Sequence, residues 1–207
     1  MLGVYNYIVV LTYIGMLVSF LGITFAFQGS FPGALLCLII AGLCDMFDGK
    51  VASTKKDRTE HEKRFGIQID SLCDLISFGI LPAVIVYKAC GESIFALFIP
   101  AMYVLFALIR LAWFNVDEED RQNTSNESRK HYLGLPVTTS ALFLPALMGL
   151  AMCLHRSIAV IGVITLFFMA VAFICPFELK KPESRGKIGM VLFGCAELLI
   201  LFMGARI

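Results

Sequence analysis

The sequence predicts an all-α integral membrane protein that forms one polytopic domain over residues 1–207. Two observations favour this class. First, 58% of the 207 residues are hydrophobic and only 16% are charged, with a mean hydropathy of +0.82. A soluble domain of this length carries more polar surface than that. Second, the apolar residues fall into segments close to the roughly 20 residues that a helix needs to cross a bilayer.

Seven helical spans follow from these segments. They are predicted at 4–26, 32–52, 67–88, 93–115, 134–155, 157–176 and 188–205. Turn-forming pairs such as Gly29-Ser30 separate several of them. The last segment is short and carries Glu197. We therefore expect a core of six helices over about 1–176, with a seventh, additional C-terminal helix over about 188–205.

Lysine and arginine are distributed unevenly between the two sides of the predicted bundle. Fourteen of the 17 lie in or beside the loops 53–66, 116–133 and 177–187. The other side has only three, Lys88, Arg156 and Arg206. Because cytoplasmic loops collect positive charge, these loops and the N-terminus are predicted to be cytoplasmic, and the C-terminus to lie outside.

Four aspartates lie inside or at the ends of the second and third predicted spans. Asp45 and Asp48 are three residues apart, so both project from one face of the second helix. Asp70 and Asp74 are four apart and do the same on the third. Asp45 and Asp74 each lie roughly 12 Å inside the cytoplasmic boundary, from the rise per residue, so the four carboxylates can meet at one depth. Four like charges at one depth repel unless a cation lies among them, and Mg²⁺ or Mn²⁺ suits such oxygen ligands.

The same stretch also allows a simpler interpretation. A single aspartate near a helix end more often caps the helix or binds interfacial water, but four at matched depth favour a functional site. Three small residues accompany the carboxylates, namely Gly49, Ala52 and Gly66. They either leave room for a ligand or allow close helix packing, and the sequence leaves both alternatives open.

The stretch DMFDGKVAS…GIQIDSLCD resembles the signature of the CDP-alcohol phosphotransferases, D-x2-D-G-x2-A-R-x8–9-G-x3-D-x3-D. Seven of its eight fixed positions are matched, by Asp45, Asp48, Gly49, Ala52, Gly66, Asp70 and Asp74. The eighth differs, because Ser53 stands where the signature has arginine, and the interval that follows is longer than usual. The candidates to replace that arginine are Lys55, Lys56, Arg58 and Arg64.

This resemblance implies a six-helix membrane core with a polar cavity that faces the cytoplasm. It also implies that the four aspartates hold two divalent cations, Mg²⁺ or Mn²⁺, on the diphosphate of a CDP-linked lipid. By position, Asp45, Asp48 and Asp70 are the principal metal ligands. Asp74 would also touch metal and act as the catalytic general base on the acceptor hydroxyl. The residues implied to bind the CDP-lipid are Asp48, Gly49, Ala52 and Gly66.

Two further stretches resemble bacterial and archaeal phosphatidylserine synthases within this family. One is DSLCDLISFGILPAVIVY, which begins at Asp70, and the other is RLAWFNV, which begins at Arg110 and is followed by GLPVTTSA. The resemblance covers roughly residues 1–145. It implies transfer of the phosphatidyl group from CDP-diacylglycerol to the hydroxyl of L-serine, which gives phosphatidylserine and CMP.

Arg110 and Asn115 are the candidate serine-binding residues. The carboxylate of serine needs a cation, and a guanidinium can bind it through two hydrogen bonds. The alternatives are that Arg110 extends to the membrane interface and that Asn115 caps the C-terminal end of the fourth helix.

Other functions stay open at this level. Another member of the family, a phosphatidylglycerophosphate or inositol-phosphate lipid synthase, would act on a phosphate-bearing acceptor and favour a more basic pocket. A cation transporter would also place carboxylates in the membrane, but it would spread them along a pathway rather than cluster them at one edge. The expected partners are CDP-diacylglycerol, L-serine and membrane lipid, without nucleic acid. Members of the family are often dimeric, so a homodimer is a further expectation.

Overall fold

The computed structural model describes residues 3–124, 131–180, 189, 193–194, 196–201 and 203. The helices within them are α1 (Val10–Phe27), α2 (Phe31–Ser53), α3 (Glu60–Asp74), α4 (Leu81–Ala89), α5 (Phe98–Thr124), α6 (Ser140–Cys153) and α7 (Ile158–Ile174). Short 3₁₀ turns precede three of them, at Tyr7–Val9, Ile94–Leu97 and Val137–Thr139. A single antiparallel pair of three-residue strands, β1 (His131–Leu133) and β2 (Glu178–Lys180), is the only sheet in the described ranges.

The predicted all-α membrane class is confirmed. Four helices are long enough and apolar enough to cross a membrane, at Tyr7–Phe27, Phe31–Ser53, Glu60–Ala89 and Ile94–Asp120. Two shorter apolar helices follow, at Val137–Cys153 and Ile158–Ile174. Each of the six lies on one of the first six spans that the hydropathy pattern predicts.

The two shorter helices lose residues at their ends relative to the predicted spans 134–155 and 157–176. Pro136 is extended and precedes the first of them, while Cys175 is extended and ends α7. For the seventh span, residues 193–194, 196–201 and 203 are helical. The remainder of that prediction lies outside the described residues.

The third span begins earlier than the predicted residue 67. Thr59 starts α3 with a capping box, in which its hydroxyl accepts the Glu62 N–H and the Glu62 carboxylate accepts the Thr59 N–H. This reciprocal pair satisfies two backbone donors that a helix start otherwise leaves free. Gly66 and Asp70 consequently lie within an established helix rather than at its frayed beginning.

A π-helical segment, Leu75–Ile80, joins α3 to α4 directly after Asp74. Pro82 explains why the helix changes here, because proline has no N–H to donate to the carbonyl of Phe78 and crowds that carbonyl. The freed carbonyl instead accepts the Tyr103 hydroxyl of α5 at 2.6 Å and lies 3.4 Å from the Ser140 hydroxyl. The backbone polar group is thereby satisfied inside the bundle, as it must be in a membrane.

Glycine allows the helices to approach closely around this segment. A Cβ on Gly22 of α1 would lie 2.8 Å from the Cys37 Cβ of α2, and one on Gly42 would lie 2.6 Å from the Ala141 Cβ of α6. Such close backbone contact is the usual way in which membrane helices gain packing energy. The packing holds α2 against both α1 and α6, and thus positions the face of α2 that carries the aspartates.

Candidate metal centre and cavity

Three of the four predicted aspartates meet at the ends of α2 and α3. Carboxylate oxygens of Asp45, Asp70 and Asp74 all lie within 4.8 Å of one another. Across the two helices, the carboxyl group of Asp45 lies against that of Asp74, and the carboxyl group of Asp48 against that of Asp70. Two carboxyl groups in such contact must share either a proton or a cation.

Asp48 lies beside this group of three and has an additional partner. The Thr12 hydroxyl of α1 donates to the Asp48 Oδ2 at 3.0 Å, and Asp48 is buried. Thr12 was not predicted from the sequence. Its only signal is a hydroxyl at one position of a strongly apolar helix, and such a hydroxyl more often bonds back to its own helix.

The donor set fits a divalent cation of the Mg²⁺ or Mn²⁺ class. The ligand atoms are all carboxylate oxygens, which hard cations prefer. One carboxylate oxygen from each of Asp45, Asp70 and Asp74 lies within 4.8 Å of the other two. Oxygens at such distances from one another can bind the same ion. A Cβ added to Gly49 would meet no atom within 4 Å, so the backbone next to Asp48 faces open space.

The aspartates open onto a cavity of about 790 Å³ bounded by α2, α3, α5, α6 and the turn before α6. All four line it, together with Gly49 and Arg110. A volume of this order suits a large organic ligand rather than an ion alone.

Ala52 and Gly66 are not among the described residues that line this cavity. Ala52 packs against the cluster formed by Val4, Ile8 and Val9. Gly66 instead lies against Arg58, whose Nη2 would be 2.9 Å from an added Cβ. For Ala52 the contacts therefore correspond to the helix-packing alternative.

Arg110 points into the bundle. It is 7% exposed, lines the cavity, and donates from Nε to the Leu135 carbonyl at 3.3 Å. Its guanidinium also lies 5.9 Å from the centre of the Phe114 ring. Extension to the membrane interface is therefore the wrong interpretation for this arginine.

Asn115 does not cap a helix, because α5 continues to Thr124. That alternative was wrong, since the apolar pattern ends near residue 115 whereas the helix continues with charged residues. The Asn115 Oδ1 accepts the Ser71 hydroxyl at 2.7 Å, and Asn115 is not among the described cavity-lining residues. It ties α5 to the turn of α3 between Asp70 and Asp74.

Glu197 is a second residue that the sequence analysis did not assign to the site. It is 1% exposed and lines the same cavity as the aspartates. Its only signal in the sequence is a charge inside the apolar segment 188–205.

Residues 6–177 match the CDP-alcohol phosphatidyltransferase family, and the chain belongs to that family. It is 34% identical over 122 residues to the CDP-diacylglycerol–serine O-phosphatidyltransferase of Saccharomyces cerevisiae, which covers 58% of this chain and 42% of that protein. It is 33% identical over 128 residues to the protein of the same name from Helicobacter pylori, covering 59% and 50%.

An archaeal relative is also similar. The archaetidylserine synthase of Methanothermobacter thermautotrophicus is 31% identical over 125 residues, which covers 60% of this chain and 49% of that protein. The chain thus spans about half the length of the curated relatives that it matches.

Proposed function

We propose that this protein transfers the phosphatidyl group of CDP-diacylglycerol to the hydroxyl of L-serine, giving phosphatidylserine and CMP. The observation that carries the proposal is the cluster of Asp45, Asp70 and Asp74 on the same cavity as Arg110. Membership of the family supports the reaction class. The names of the relatives support serine over a phosphate-bearing acceptor.

The four aspartates are the proposed ligands of two divalent cations, Mg²⁺ or Mn²⁺. Such ions, when bound, neutralise charge on the diphosphate oxygens and thereby lower the barrier to displacement. Asp45, Asp48 and Asp70 mainly bind metal in this proposal, while Asp74 both binds metal and acts as base. Asp48 and Gly49 also line the space for the CDP-lipid, since both border the cavity.

The chemical step is a displacement at phosphorus. Asp74 accepts the proton of the serine hydroxyl as its oxygen bonds to the phosphorus that carries the lipid. The bond from that phosphorus to the bridging oxygen breaks at the same centre, and CMP leaves with the electron pair. Atoms and charge balance without any other reactant.

Arg110 is the proposed ligand of the serine carboxylate. Arg110 is buried and lines the same cavity as the aspartates, and the planar fork of a guanidinium matches the geometry of a carboxylate. Asn115 has an indirect role in this proposal, because its hydrogen bond with Ser71 positions α5 against α3.

The cavity opens towards the cytoplasm in this proposal, with the N-terminus on the same side. The support is the excess of lysine and arginine in the loops next to the aspartates. A cysteine placed at Lys56, in a variant without native cysteines, should react with an impermeant thiol reagent only from the cytoplasmic side. Reaction from the outside alone would reverse the orientation.

The function is tested with purified protein in neutral detergent, supplied with CDP-diacylglycerol, labelled L-serine and either Mg²⁺ or Mn²⁺. We expect labelled phosphatidylserine and an equal amount of CMP, and no product once a chelator removes the divalent ion. CMP release that does not depend on serine would contradict serine as the acceptor.

A further inference from the structure

The loop 54–59, between α2 and α3, contains an arginine that has no partner in the described part of the chain. Arg58 is half-buried, and its Nε is buried without a hydrogen-bond acceptor among the described residues. Shielding part of a guanidinium from water without an acceptor is unfavourable. An anion that binds to Arg58 would remove this penalty.

Asp57, next to Arg58 in sequence, is exposed, and the two acidic residues that follow, Glu60 and Glu62, are engaged elsewhere. Glu62 accepts the Lys55 Nζ at 2.7 Å and the Asn6 Nδ2 at 2.8 Å, in addition to the Thr59 N–H. The hydrogen bond to Glu62 raises the pKa of Lys55 above its usual value. Glu60 accepts the Lys63 Nζ at 2.6 Å. These bonds fix the loop at the start of α3.

Arg58 lies against the helix face that carries two of the aspartates. A Cβ on Gly66 would be 2.9 Å from the Arg58 Nη2, so the guanidinium covers the glycine. Gly66, Asp70 and Asp74 follow one another at four-residue spacing and hence share that face. The guanidinium therefore lies about one helical turn, or about 6 Å, from the level of Asp70. Arg58 is not among the described residues that line the cavity, so it would meet a diphosphate that extends from the aspartates towards Gly66.

Position 53 itself offers no cation. Ser53 borders the cavity, but its hydroxyl donates to the Lys50 carbonyl of its own helix at 2.7 Å. Of the four cations that the sequence suggests as replacements for the signature arginine, Lys55 is paired with Glu62, while Lys56 and Arg64 are exposed. Arg58 alone among these four is half-buried without a described partner.

We propose that Arg58 binds the diphosphate of the CDP-linked lipid and supplies the cation that Ser53 does not. This inference rests on the proposed use of a CDP-lipid donor, but not on the identity of the acceptor. Arginine suits the role, because its planar fork donates two hydrogen bonds to phosphate oxygens at once.

The same phosphate chemistry occurs in the head groups of bulk anionic lipids, so the test must separate the two sources. Binding of soluble CDP with Mg²⁺ is measured by equilibrium dialysis in a neutral detergent that contains no anionic lipid. Under these conditions Arg58→Ala should weaken CDP binding on the order of tenfold to a hundredfold, as for a charge-assisted hydrogen bond. An effect seen only after anionic lipid is added would assign Arg58 to the bulk lipid instead and overturn the proposal.

Kinetics provide the second measurement. Arg58→Ala should raise the KM for CDP-diacylglycerol by a similar factor while the KM for serine stays within about twofold. For Arg58→Lys, the KM for CDP-diacylglycerol should lie between the values of the wild type and of Arg58→Ala, since lysine keeps the charge but lacks the paired donors of a guanidinium. The matched control is Arg64→Ala, an exposed arginine of α3, which should leave both constants unchanged.

A rescue variant tests the relation to position 53. Adding Ser53→Arg to Arg58→Ala should restore CDP affinity to near the wild-type value, and a double variant no better than Arg58→Ala would contradict the replacement. Unchanged CDP affinity in a folded Arg58→Ala protein that still makes phosphatidylserine would refute this inference alone. If CDP binding depends on Arg58 but the protein does not use serine, the role of Arg58 stands and only the proposal that serine is the acceptor is refuted.

Discussion

Each aspartate of the cluster has its own set of neighbours. Asp45 lies against Asp74 and Asp48 against Asp70, so each contact joins α2 to α3. Thr12 adds α1 through its bond to Asp48. Three helices thus hold the carboxylates in place before any ligand binds, and such preorganisation favours charge stabilisation in a reaction.

The proposed base can be tested by removing its charge while keeping its shape. Asp74→Asn should lower the turnover rate at least about a hundredfold, because general bases contribute factors of that order. Binding of the CDP-lipid should stay largely intact, as three carboxylates remain. The exposed loop residue Asp57 provides the control, since Asp57→Asn makes the same chemical change away from the cluster. Retained activity in Asp74→Asn would disprove the assignment of the base.

Thr12 is expected to support the site through Asp48. Thr12→Val removes the hydroxyl that donates to Asp48 at 3.0 Å, and loss of such a supporting bond typically costs tenfold to a hundredfold in metal affinity or activity. The measurement is the Mn²⁺ concentration that gives half-maximal activity. Thr24→Val is matched, because Thr24 lies on the same helix and only bonds back to the Phe20 carbonyl. Equal metal dependence in the two variants would mean that Thr12 does not act on the site.

Among the elements, the junction of α3 with α4 matters most for the site. The π-helical segment begins at the residue after Asp74, so its geometry sets how the last turn of α3 meets the rest of the span. Hydrophobic periodicity predicts one continuous helix here, because one π turn changes the pattern too little to detect. The bond from Tyr103 to the Phe78 carbonyl comes from another helix and cannot be derived from the local sequence.

Removal of that bond should destabilise the junction. Tyr103→Phe leaves the Phe78 carbonyl with only the longer contact to Ser140, which should lower the free energy of unfolding by about 1–3 kcal/mol. Thermal unfolding in detergent measures the change. Tyr87→Phe is the control, because the Tyr87 hydroxyl also donates to a backbone carbonyl but at an exposed position. Identical melting temperatures for the two variants would argue against a structural role for Tyr103.

For the whole molecule, predictions from the sequence succeeded where the signal is local. The spans follow from hydropathy, and the shared faces of Asp45 with Asp48 and of Asp70 with Asp74 follow from helical spacing. The two helices are joined by a short loop, so their polar ends meet, as the cluster of Asp45, Asp70 and Asp74 demonstrates.

Features that depend on distant contacts were not predictable in this way. Thr12 and Glu197 reach the site from helices far away in sequence. Ala52 matches the family signature, yet it packs against the N-terminal cluster rather than the cavity. Arg58 could be chosen from the four candidate cations near position 53 only once the pairing of Lys55 with Glu62 was known.

In the proposed reaction, a CDP-lipid and serine react in the cavity next to the aspartates. The most direct test is a competition in one vessel, with purified protein, CDP-diacylglycerol, Mn²⁺ and equal concentrations of labelled serine, glycerol 3-phosphate and inositol phosphate. We expect phosphatidylserine as the main labelled lipid, with CMP formed in equal amount, and at least about a hundredfold less lipid product from Asp74→Asn. Incorporation of glycerol 3-phosphate or inositol phosphate while serine remains unused would contradict it.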